Sequence, residues 1–340
     1  MHVCIVGGIF DKPASYRLNH SISPETVLAA GLRQRGWEVT VCGHHDLLPP
    51  GGFDLVHVHH FGSGALRAAT GARRAPFVFT THDPFAMNGL PVGWKRRLTD
   101  GLLLRRTDAV VALSNAERDF LIRRYGLRPS SVAVIPNGID TRIFDRQTEP
   151  PQGGEPCLLF AGQLKEFKGL DYLLQAMPLV RAAFPPVKLQ VVYQTAALLD
   201  RYRAQTEQLG LDGSIEFAGP KTPRELAALY STASVVVAPS LGECLSTVVL
   251  EAMCCGAAIV ATAVGGIYEQ LDKESGVIVP PRDPQALAGA ICRLLSDSAL
   301  RLALGRAARR KARVQFTVPN MIARHVRLYE ELVGADERAA

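Results

Sequence analysis

Two glutamates lie eight residues apart where the sequence pattern predicts a strand, a polar loop and a helix. Glu243 follows the apolar, β-branched run Val235–Ala238, and Glu251 lies in a helical run over 245–255 that Gly256 closes. In open α/β sheets, ligands bind at the carboxyl ends of the strands beside helix N-termini, so we expect this loop to face a ligand. Carboxylates at such a place suit the hydroxyl groups of a sugar or a ribose. Solvated glutamates on a purely structural α/β unit are the alternative that the spacing leaves open.

Other groups in the predicted loops suit an anion. The amides of Leu245, Ser246 and Thr247 lie at the predicted helix start, where N–H groups have no partner inside the helix. Earlier in the chain, a glycine turn is followed by Lys165 and Lys168 before another predicted helix. This arrangement suits a phosphate group, and a surface loop with solvated lysines is the alternative.

The stretch around the two glutamates resembles the E-x7-E signature of the retaining family-4 glycosyltransferases. That family has the GT-B fold, so the resemblance implies an α/β protein of two Rossmann-like, doubly wound domains with an interdomain cleft. It also implies that Glu243 contacts the donor sugar and that Glu251 contacts the ribose of a nucleotide. Cys244 departs mildly from the small residue that the family has after the first glutamate. The matching residues are Ser240, Glu243, Glu251-Ala252-Met253, Gly256 and Gly265-Gly266.

The lysine segment resembles a second motif of the same family, in which an arginine and a lysine hold the donor diphosphate. Lys168 matches the lysine, whereas Gln163 occupies the arginine position. An amide donates a hydrogen bond without a charge, and charge-assisted bonds are roughly twice as strong. The departure puts the donor affinity or the donor identity in question, and Lys165 is the nearby residue that would supply the missing charge. By the same resemblance, Lys221 lies in a loop near the nucleotide base.

Two features of the first half match the same family. Thr81-His82-Asp83 looks like the segment whose histidine lies near the donor sugar, so the resemblance makes His82 a catalytic candidate. A glycine turn at Gly8 follows the first predicted strand, as it does in the family, where an acceptor loop comes next. We expect acceptor loops over 10–23 and 61–71. His59-His60 also ends a predicted strand and adds two candidates at the same sheet edge.

Strands and helices alternate along most of the chain, which is the pattern of doubly wound α/β domains. We expect a first domain over 1–148 and a donor-binding domain over 152–317, with a linker rich in Pro and Gly over 147–155. By the resemblance, the first domain binds the acceptor, and a C-terminal helix over about 318–334 packs back on it. A disordered tail is expected after Gly334.

The composition is that of a globular α/β protein: 340 residues, of which 47% are hydrophobic and 21% are charged. No apolar run reaches the roughly 18 residues of a membrane-spanning helix. The N-terminal stretch lacks the basic region of a signal peptide. Seven cysteines are scattered without metal-ligand spacing, and the reduced thiols that this predicts favour a cytoplasmic protein.

The net charge of +6 arises in the first half of the chain. Residues 1–148 contain 18 Lys and Arg against 12 Asp and Glu, and the remainder contains 20 of each. A solvated basic face is one interpretation, and an anionic acceptor or peripheral contact with an anionic membrane is the other. Nucleic acid is not an expected partner, because neither a recognition motif nor an aromatic platform is present. The basic clusters are Arg73-Arg74, Lys95-Arg96-Arg97, Arg105-Arg106 and Arg123-Arg124.

Together, the resemblance and the residues predict an enzyme: a retaining glycosyltransferase that moves a sugar from a UDP- or GDP-linked donor to an acceptor hydroxyl. The expected setting is glycan, glycolipid or secondary-metabolite biosynthesis. No metal or other cofactor is expected, because no residues have metal-ligand spacing and the nucleotide sugar is a co-substrate. Two other classes stay open. One is a sugar-nucleotide epimerase or phosphorylase of the same fold, and the other is a donor-binding protein without catalysis, which Gln163 suggests.

Overall fold

A computed structural model describes residues 1–13, 23–49, 52–72, 75–82, 87, 89, 93–145 and 155–339. The chain divides into two compact units, one formed by Met1–Gly138 with Thr317–Ala340 and the other by Ile139–Phe316. Each unit contains a six-stranded sheet flanked by helices. The predicted α/β class with two doubly wound halves is therefore confirmed. Asp83, most of the predicted linker and the middle of the 10–23 segment lie outside the described residues.

The first unit is built on a parallel sheet. Its strands are β1 (His2–Val6), β2 (Glu38–Cys42), β3 (Leu55–His59), β4 (Phe77–Thr80), β5 (Ala109–Ala112) and β6 (Val132–Val134). Their order is β2-β1-β3-β4-β5-β6, and each neighbouring pair is parallel. The helices that follow are α1 (Pro24–Gln34), α2 (Ser63–Gly71), α3 (Trp94–Leu104) and α4 (Asn115–Tyr125), and the C-terminal helix Val318–Ala339 completes the unit.

Alternate residues of β1 contribute side chains to the hydrophobic cores on opposite faces of this sheet. Val3 and Ile5 pack with α1 and the C-terminal helix, whereas Cys4 and Val6 belong to the core on the other face. The C-terminal helix lies so close to α1 that a Cβ on Gly31 would be 2.5 Å from Ile322 Cδ1. This glycine therefore allows the two helices to approach each other.

The second unit has a sheet of the same size. Its strands are β7 (Cys157–Ala161), β8 (Lys188–Val192), β9 (Ile215–Gly219), β10 (Val235–Ala238), β11 (Ile259–Thr262) and β12 (Val277–Val279). Their order is β12-β11-β10-β7-β8-β9, again with parallel neighbours. The helices are α5 (Leu170–Ala183), α6 (Leu199–Gln208), α7 (Pro223–Thr232), α8 (Thr247–Cys254), α9 (Ile267–Gln270), α10 (Pro284–Ser296) and α11 (Ser298–Gln315).

Two local predictions are wrong. The segment 61–71, predicted as an acceptor loop, is mostly helix α2. The glycines of this segment weaken its helical pattern. Gly64 is nevertheless required by packing, because a Cβ at this position would lie 2.3 Å from the carbonyl oxygen of His44. The predicted disordered tail is also wrong, since the C-terminal helix continues past Gly334 to Ala339.

Both strand orders contain a switch point, where successive connections leave in opposite directions. In the first sheet it lies between β1 and β3, and in the second between β7 and β10. Ligands of open α/β sheets bind outside the carboxyl ends of the strands at such points. The loops that follow β1, β3, β7 and β10 are therefore the places where the topology favours a site.

Candidate functional site

Lys168 and Glu243 form an ion pair at the switch point of the second sheet. The Nζ of Lys168 lies 2.7 Å from Oε1 of Glu243, and the Oγ of Ser240 donates to the same oxygen at 2.8 Å. The Glu243 side chain is 8% exposed and the Lys168 side chain 19%. Lys168 ends a short 3₁₀ turn after β7, and Glu243 lies in the loop after β10. The neighbouring strands thus bring together two predicted site residues that are far apart in sequence.

Backbone contacts fix these two loops against each other. The amide of Leu241 donates to the carbonyl oxygen of Phe167 at 2.7 Å. Gly169 follows Lys168 with a φ of +71°, and a Cβ there would lie 1.9 Å from the carbonyl oxygen of Pro239. Only glycine fits both the left-handed backbone and this close approach. The position of Lys168 is therefore set by the backbone as well as by its ion pair.

Gln163 and Lys165 lie in the same loop as Lys168. The carbonyl oxygen of Gln163 accepts from the amide of Lys165 at 2.8 Å, which makes a tight turn. The ammonium groups of Lys165 and Lys168 lie 6.0 Å and 5.2 Å from the centre of the Phe167 ring. The loop therefore carries two cations beside one aromatic ring, although Gln163 itself is uncharged.

The start of α8 differs from the prediction. The helix begins at Thr247 rather than at Leu245, because Ser246 is the N-cap and its Oγ accepts from Val249 at 3.4 Å. The amide of Ser246 donates to Oε1 of Gln270 at 3.0 Å, and Nε2 of Gln270 donates back to the Ser246 carbonyl at 2.7 Å. The prediction that the Ser246 amide is unpaired is therefore wrong. Leu245 and Thr247, on either side, stay candidates.

Glu251 is buried inside α8 and is paired with a tyrosine. The Oη of Tyr230, on α7, donates to Oε2 of Glu251 at 2.9 Å. Burial raises the pKa of Glu251 to about 7, although the hydrogen bond from Tyr230 acts in the opposite direction. A carboxylate in this environment changes its charge near neutral pH.

Lys221 lies away from the switch point. It follows β9, the edge strand of the second sheet, and precedes the capping box that Thr222 forms with Glu225 at the start of α7. Lys221, Lys168 and Glu243 all belong to the described residues, and no hydrogen bond or ion pair joins Lys221 to either of the other two. Its contact with a nucleotide base stays a prediction.

His82 belongs to a histidine cluster at the carboxyl edge of the first sheet. Its Nε2 lies 2.9 Å from Nδ1 of His59, and the two rings are stacked with centroids 5.2 Å apart. The backbone of His82 is left-handed, with a φ of +48°. Desolvation, followed by the charge of His60, lowers the pKa of His82 to about 3, so the ring is neutral at pH 7.

Further members of the cluster connect the sheet to the C-terminal helix. His57 lies 2.5 Å from the Oη of Tyr329 and 2.7 Å from the Oγ1 of Thr80. The Nε2 atoms of His59 and His325 are buried, and within the described part of the chain they have no hydrogen-bond partner. Both side chains line a small cavity of about 10 Å³, roughly the space that one water molecule needs. Polar groups around a small cavity are the setting in which buried water is found.

The loop after β3 also contacts the start of α1 in this unit. The Nε2 of His60 lies 2.9 Å from Oε1 of Glu25, at the start of α1. Burial acts to raise the pKa of Glu25, but the bond from His60 and the neighbouring histidines lower it below its ordinary value. Gly8 begins a short 3₁₀ turn, and a Cβ there would meet nothing within 4 Å. Crowding does not require this glycine, so its place in a substrate site stays a prediction.

Two contacts of the site were missed at the sequence level. Tyr230 is 21 positions from Glu251, and Gln270 is 24 positions from Ser246. Neither residue stands in a motif, and helix packing alone brings each to its partner. By contrast, the histidine pair had a signal, since His59 and His82 both end predicted strands.

Two further properties bear on the class of protein. Within the described ranges, no group of three or more His, Cys, Asp or Glu residues is arranged to hold a metal ion. The same ranges contain no helix with the length and apolar character needed to cross a bilayer. All seven cysteines are free thiols.

Comparison with known families gives two matches that together cover much of the chain. The family model described as Glycosyl transferases group 1 matches residues 155–297, and the model described as Glycosyltransferase Family 4 matches residues 44–143. A curated relative, the D-inositol 3-phosphate glycosyltransferase of Corynebacterium jeikeium, is 31% identical over 311 residues. The match covers 84% of this chain and 74% of the relative.

Solved structures share the architecture at lower identity. Sucrose-phosphate synthase from Thermosynechococcus elongatus superposes with a TM-score of 0.83 at 20% identity, covering 98% of this chain and 100% of that one. Anabaena HepE in complex with UDP-glucose gives a TM-score of 0.80 at 19% identity, with the same coverage. At these identities the likeness concerns the fold.

Proposed function

Because the chain belongs to the family-4 glycosyltransferases (glycosyl transferases group 1), we propose that it transfers a sugar from a UDP- or GDP-linked donor to an acceptor hydroxyl with retention of anomeric configuration. The observation that carries this proposal is the Lys168–Glu243 pair at the switch point of the second sheet. It places a cation and a carboxylate together where a nucleotide sugar would bind.

Lys168 has the charge that the leaving group requires. As the bond between the anomeric carbon and the diphosphate oxygen breaks, negative charge develops on the diphosphate, and a fixed ammonium stabilises it. Gln163 stands where the family has an arginine. Lys165, beside the same Phe167 ring as Lys168, supplies the second cation instead. The acceptor oxygen forms the new bond to the anomeric carbon, and its proton passes to the departing phosphate.

The two glutamates bind different parts of the donor. Among the described residues, both bonds to Glu243 fall on Oε1, so Oε2 is the oxygen that accepts from a sugar hydroxyl. Glu251 accepts from the ribose hydroxyls while Tyr230 holds its other oxygen. The amides of Leu245 and Thr247 and the side chain of Lys221 add contacts to the phosphate and the base. From the family motif, we assign His82 and Gly8 to the transfer site as well.

We propose that the acceptor is an anionic polyol. The curated relative is named for D-inositol 3-phosphate, and the first half of this chain has 18 basic against 12 acidic residues. The free thiols support a reducing compartment such as the cytoplasm. We also propose that the reaction needs no metal ion and that the protein contacts an anionic membrane at its periphery.

The test begins with donor binding. Calorimetry with UDP, GDP and their glucose, N-acetylglucosamine and mannose conjugates should give one base preference, and Glu251→Ala should abolish it. The preferred donor is then incubated with inositol 3-phosphate and other polyols, with and without a chelator, and the anomeric configuration of the product is read by NMR. An inverted product would refute retention, and the absence of any donor binding would refute the transferase assignment.

The same measurements separate the alternatives. An epimerase or phosphorylase would convert the donor without an acceptor or would consume phosphate. A binding protein without catalysis would bind the donor and form no product, and Gln163→Arg should then raise donor affinity. If Gln163→Arg leaves the affinity unchanged, the missing charge at this position is already supplied, as the position of Lys165 suggests.

A further inference from the structure

One helix of the first unit carries an apolar stripe on its exposed side. Trp94, Leu98 and Leu102 of α3 are 71%, 59% and 45% exposed. They recur every four residues, so they lie within about 80° of arc on one side of the helix. Single exposed apolar residues are ordinary, whereas a row on one helix indicates a surface that binds a partner.

The opposite side of the same helix is anchored in the unit. Asp100, Leu103 and Leu104 are buried, and the two leucines belong to the core that also contains β3 and β4. With Trp94 at 0°, these three residues lie at about 180–280° on the helix. The core therefore fixes α3 by its inner face and leaves the stripe outward.

Cations flank the stripe on both sides. Lys95 and Arg97 are exposed and lie at about 100° and 300° on the helix, on either side of the stripe. Arg105 and Arg106 follow at its C-terminal end and are exposed too. Within residues 93–106, all of them described, the one carboxylate is that of Asp100, which is buried and lies 3.5 Å from Arg96. The outer face thus combines apolar side chains with net positive charge.

We propose that α3 docks the protein on an anionic lipid surface. Trp94, Leu98 and Leu102 lie at the boundary between headgroups and acyl chains, and the flanking cations bind lipid phosphates. An amphipathic helix with Trp and Leu on one face and Lys and Arg around it has the properties of an interfacial helix. The inference rests on the peripheral membrane contact proposed above and names the surface that makes it. It is independent of the transferase activity, because docking requires neither donor nor acceptor.

Charge argues against a second copy of the chain as the occupant. A symmetric dimer would place the same basic face against itself, and like charges across an interface oppose association. A lipid surface with anionic headgroups instead attracts each exposed Lys and Arg. It also offers an apolar layer for Trp94 and the leucines, so it accounts for both halves of the pattern.

The test is cosedimentation of the full chain with phosphatidylcholine vesicles, with and without phosphatidylglycerol, in the absence of donor and acceptor. We expect binding to the anionic vesicles only. It should weaken as salt rises from about 0.1 M to about 1 M, because the Debye length falls from about 10 Å to about 3 Å. Trp94→Gln/Leu98→Gln should lower the partition coefficient at least about tenfold, since two large apolar side chains no longer leave water.

Matched variants separate the apolar and the charged contributions. Lys95→Gln/Arg97→Gln should weaken binding and also flatten its salt dependence. Tyr268→Gln/Leu179→Gln removes two exposed apolar side chains of the second unit and should bind like the native chain. The chain has two tryptophans, so Trp37→Phe makes Trp94 the sole reporter, and its emission should shift to the blue on anionic vesicles.

Three results would overturn the proposal. The first is no binding at low salt, and the second is binding that Trp94→Gln/Leu98→Gln leaves unchanged. The third is self-association in solution that the same double variant abolishes, which would make the stripe a dimer surface. Circular dichroism should be native for each variant, because every substituted side chain except Trp37 is exposed.

Discussion

Lys168 and Glu243 are joined by an ion pair of 2.7 Å across two loops of the second sheet, although 75 residues separate them in sequence. The loops follow neighbouring strands, and the bond from Leu241 to Phe167 fixes one against the other. The ammonium group is therefore in position before any anion arrives, and such preorganisation is what makes a fixed charge effective in catalysis. Glu243 is the counterion of this cation.

We predict that the two residues are energetically coupled. Glu243→Gln and Lys168→Met should each lower the free energy of unfolding by about 1–3 kcal/mol, below the roughly 3–5 kcal/mol of fully buried pairs because Lys168 is partly exposed. The double variant should lose less than the sum, by at least about 0.5 kcal/mol. Urea denaturation measures this cycle, and the transfer rate should fall about 10²–10³-fold in Lys168→Met.

Lys273→Met is the control, because Lys273 is exposed on the same unit. It should change neither the stability nor the rate. Additive losses in the Lys168 and Glu243 cycle would show that the pair contributes nothing beyond its separate members.

A second prediction concerns Gly169, whose missing side chain lets the lysine loop approach Pro239. Gly169→Ala would place a Cβ 1.9 Å from the Pro239 carbonyl oxygen at a φ of +71°, so the loop must move. Gly213 has the same φ but nothing within 4 Å of its Cβ. Gly213→Ala should therefore cost only the backbone strain, about 1–2 kcal/mol. Gly169→Ala should cost more and should also lose activity, as thermal unfolding and transfer assays would show. Equal losses of stability would contradict the packing argument.

Short sequence patterns predict the elements of this fold that depend only on neighbouring residues. The strand β10 has the predicted bounds, because Val235–Ala238 is a short apolar run between polar segments. Helix caps such as Ser23 and Thr222 are coded in the same local way, because capping needs only adjacent residues. The family motif then identified Lys168 and Glu243 as members of one site.

Contacts between distant elements could not be predicted in the same way. Gln270 accepts a hydrogen bond from the Ser246 amide because α9 packs against the start of α8. No local sequence rule predicts a glutamine at that place. The helix α2 was missed because Gly64 is a poor helix former, yet it is required by the carbonyl of His44. In both cases tertiary packing overrides the local preference.

The third prediction is a pH dependence of donor binding. The pKa of Glu251 is about 7, and only its ionised form is a full acceptor for ribose hydroxyls. Donor affinity should therefore rise about ninefold between pH 6 and 8, as the ionised fraction rises from about one tenth to nine tenths. Tyr230→Phe removes a bond that lowers this pKa, so the midpoint should move to higher pH. Calorimetry at several pH values measures both.

The ionisation of Glu251 should affect the free energy of unfolding in the opposite direction, lowering it as the pH rises. Its folded pKa lies above the ordinary value of 4.5, so its contribution is present below pH 4.5 and is lost as the pH rises to about 7. Glu251→Gln, which does not titrate, should flatten both profiles. A donor-binding profile in Glu251→Gln that still rises through neutral pH would assign the titration to another group.

The last prediction makes His59 a positioning residue for His82. His82 is neutral at pH 7, so its hydrogen bond with Nδ1 of His59 fixes which ring nitrogen carries the proton. His59→Leu removes that bond, and kcat should fall about threefold to tenfold with an unchanged donor KM, the size of one net hydrogen bond. His59→Asn keeps a polar atom near the Nδ1 position and should restore most of the rate. His325→Leu is the control, since it removes a buried histidine of the same cluster whose Nδ1 bonds the Met321 carbonyl rather than His82. If His325→Leu lowers kcat as much as His59→Leu does, the effect comes from packing of the cluster and the positioning role is wrong.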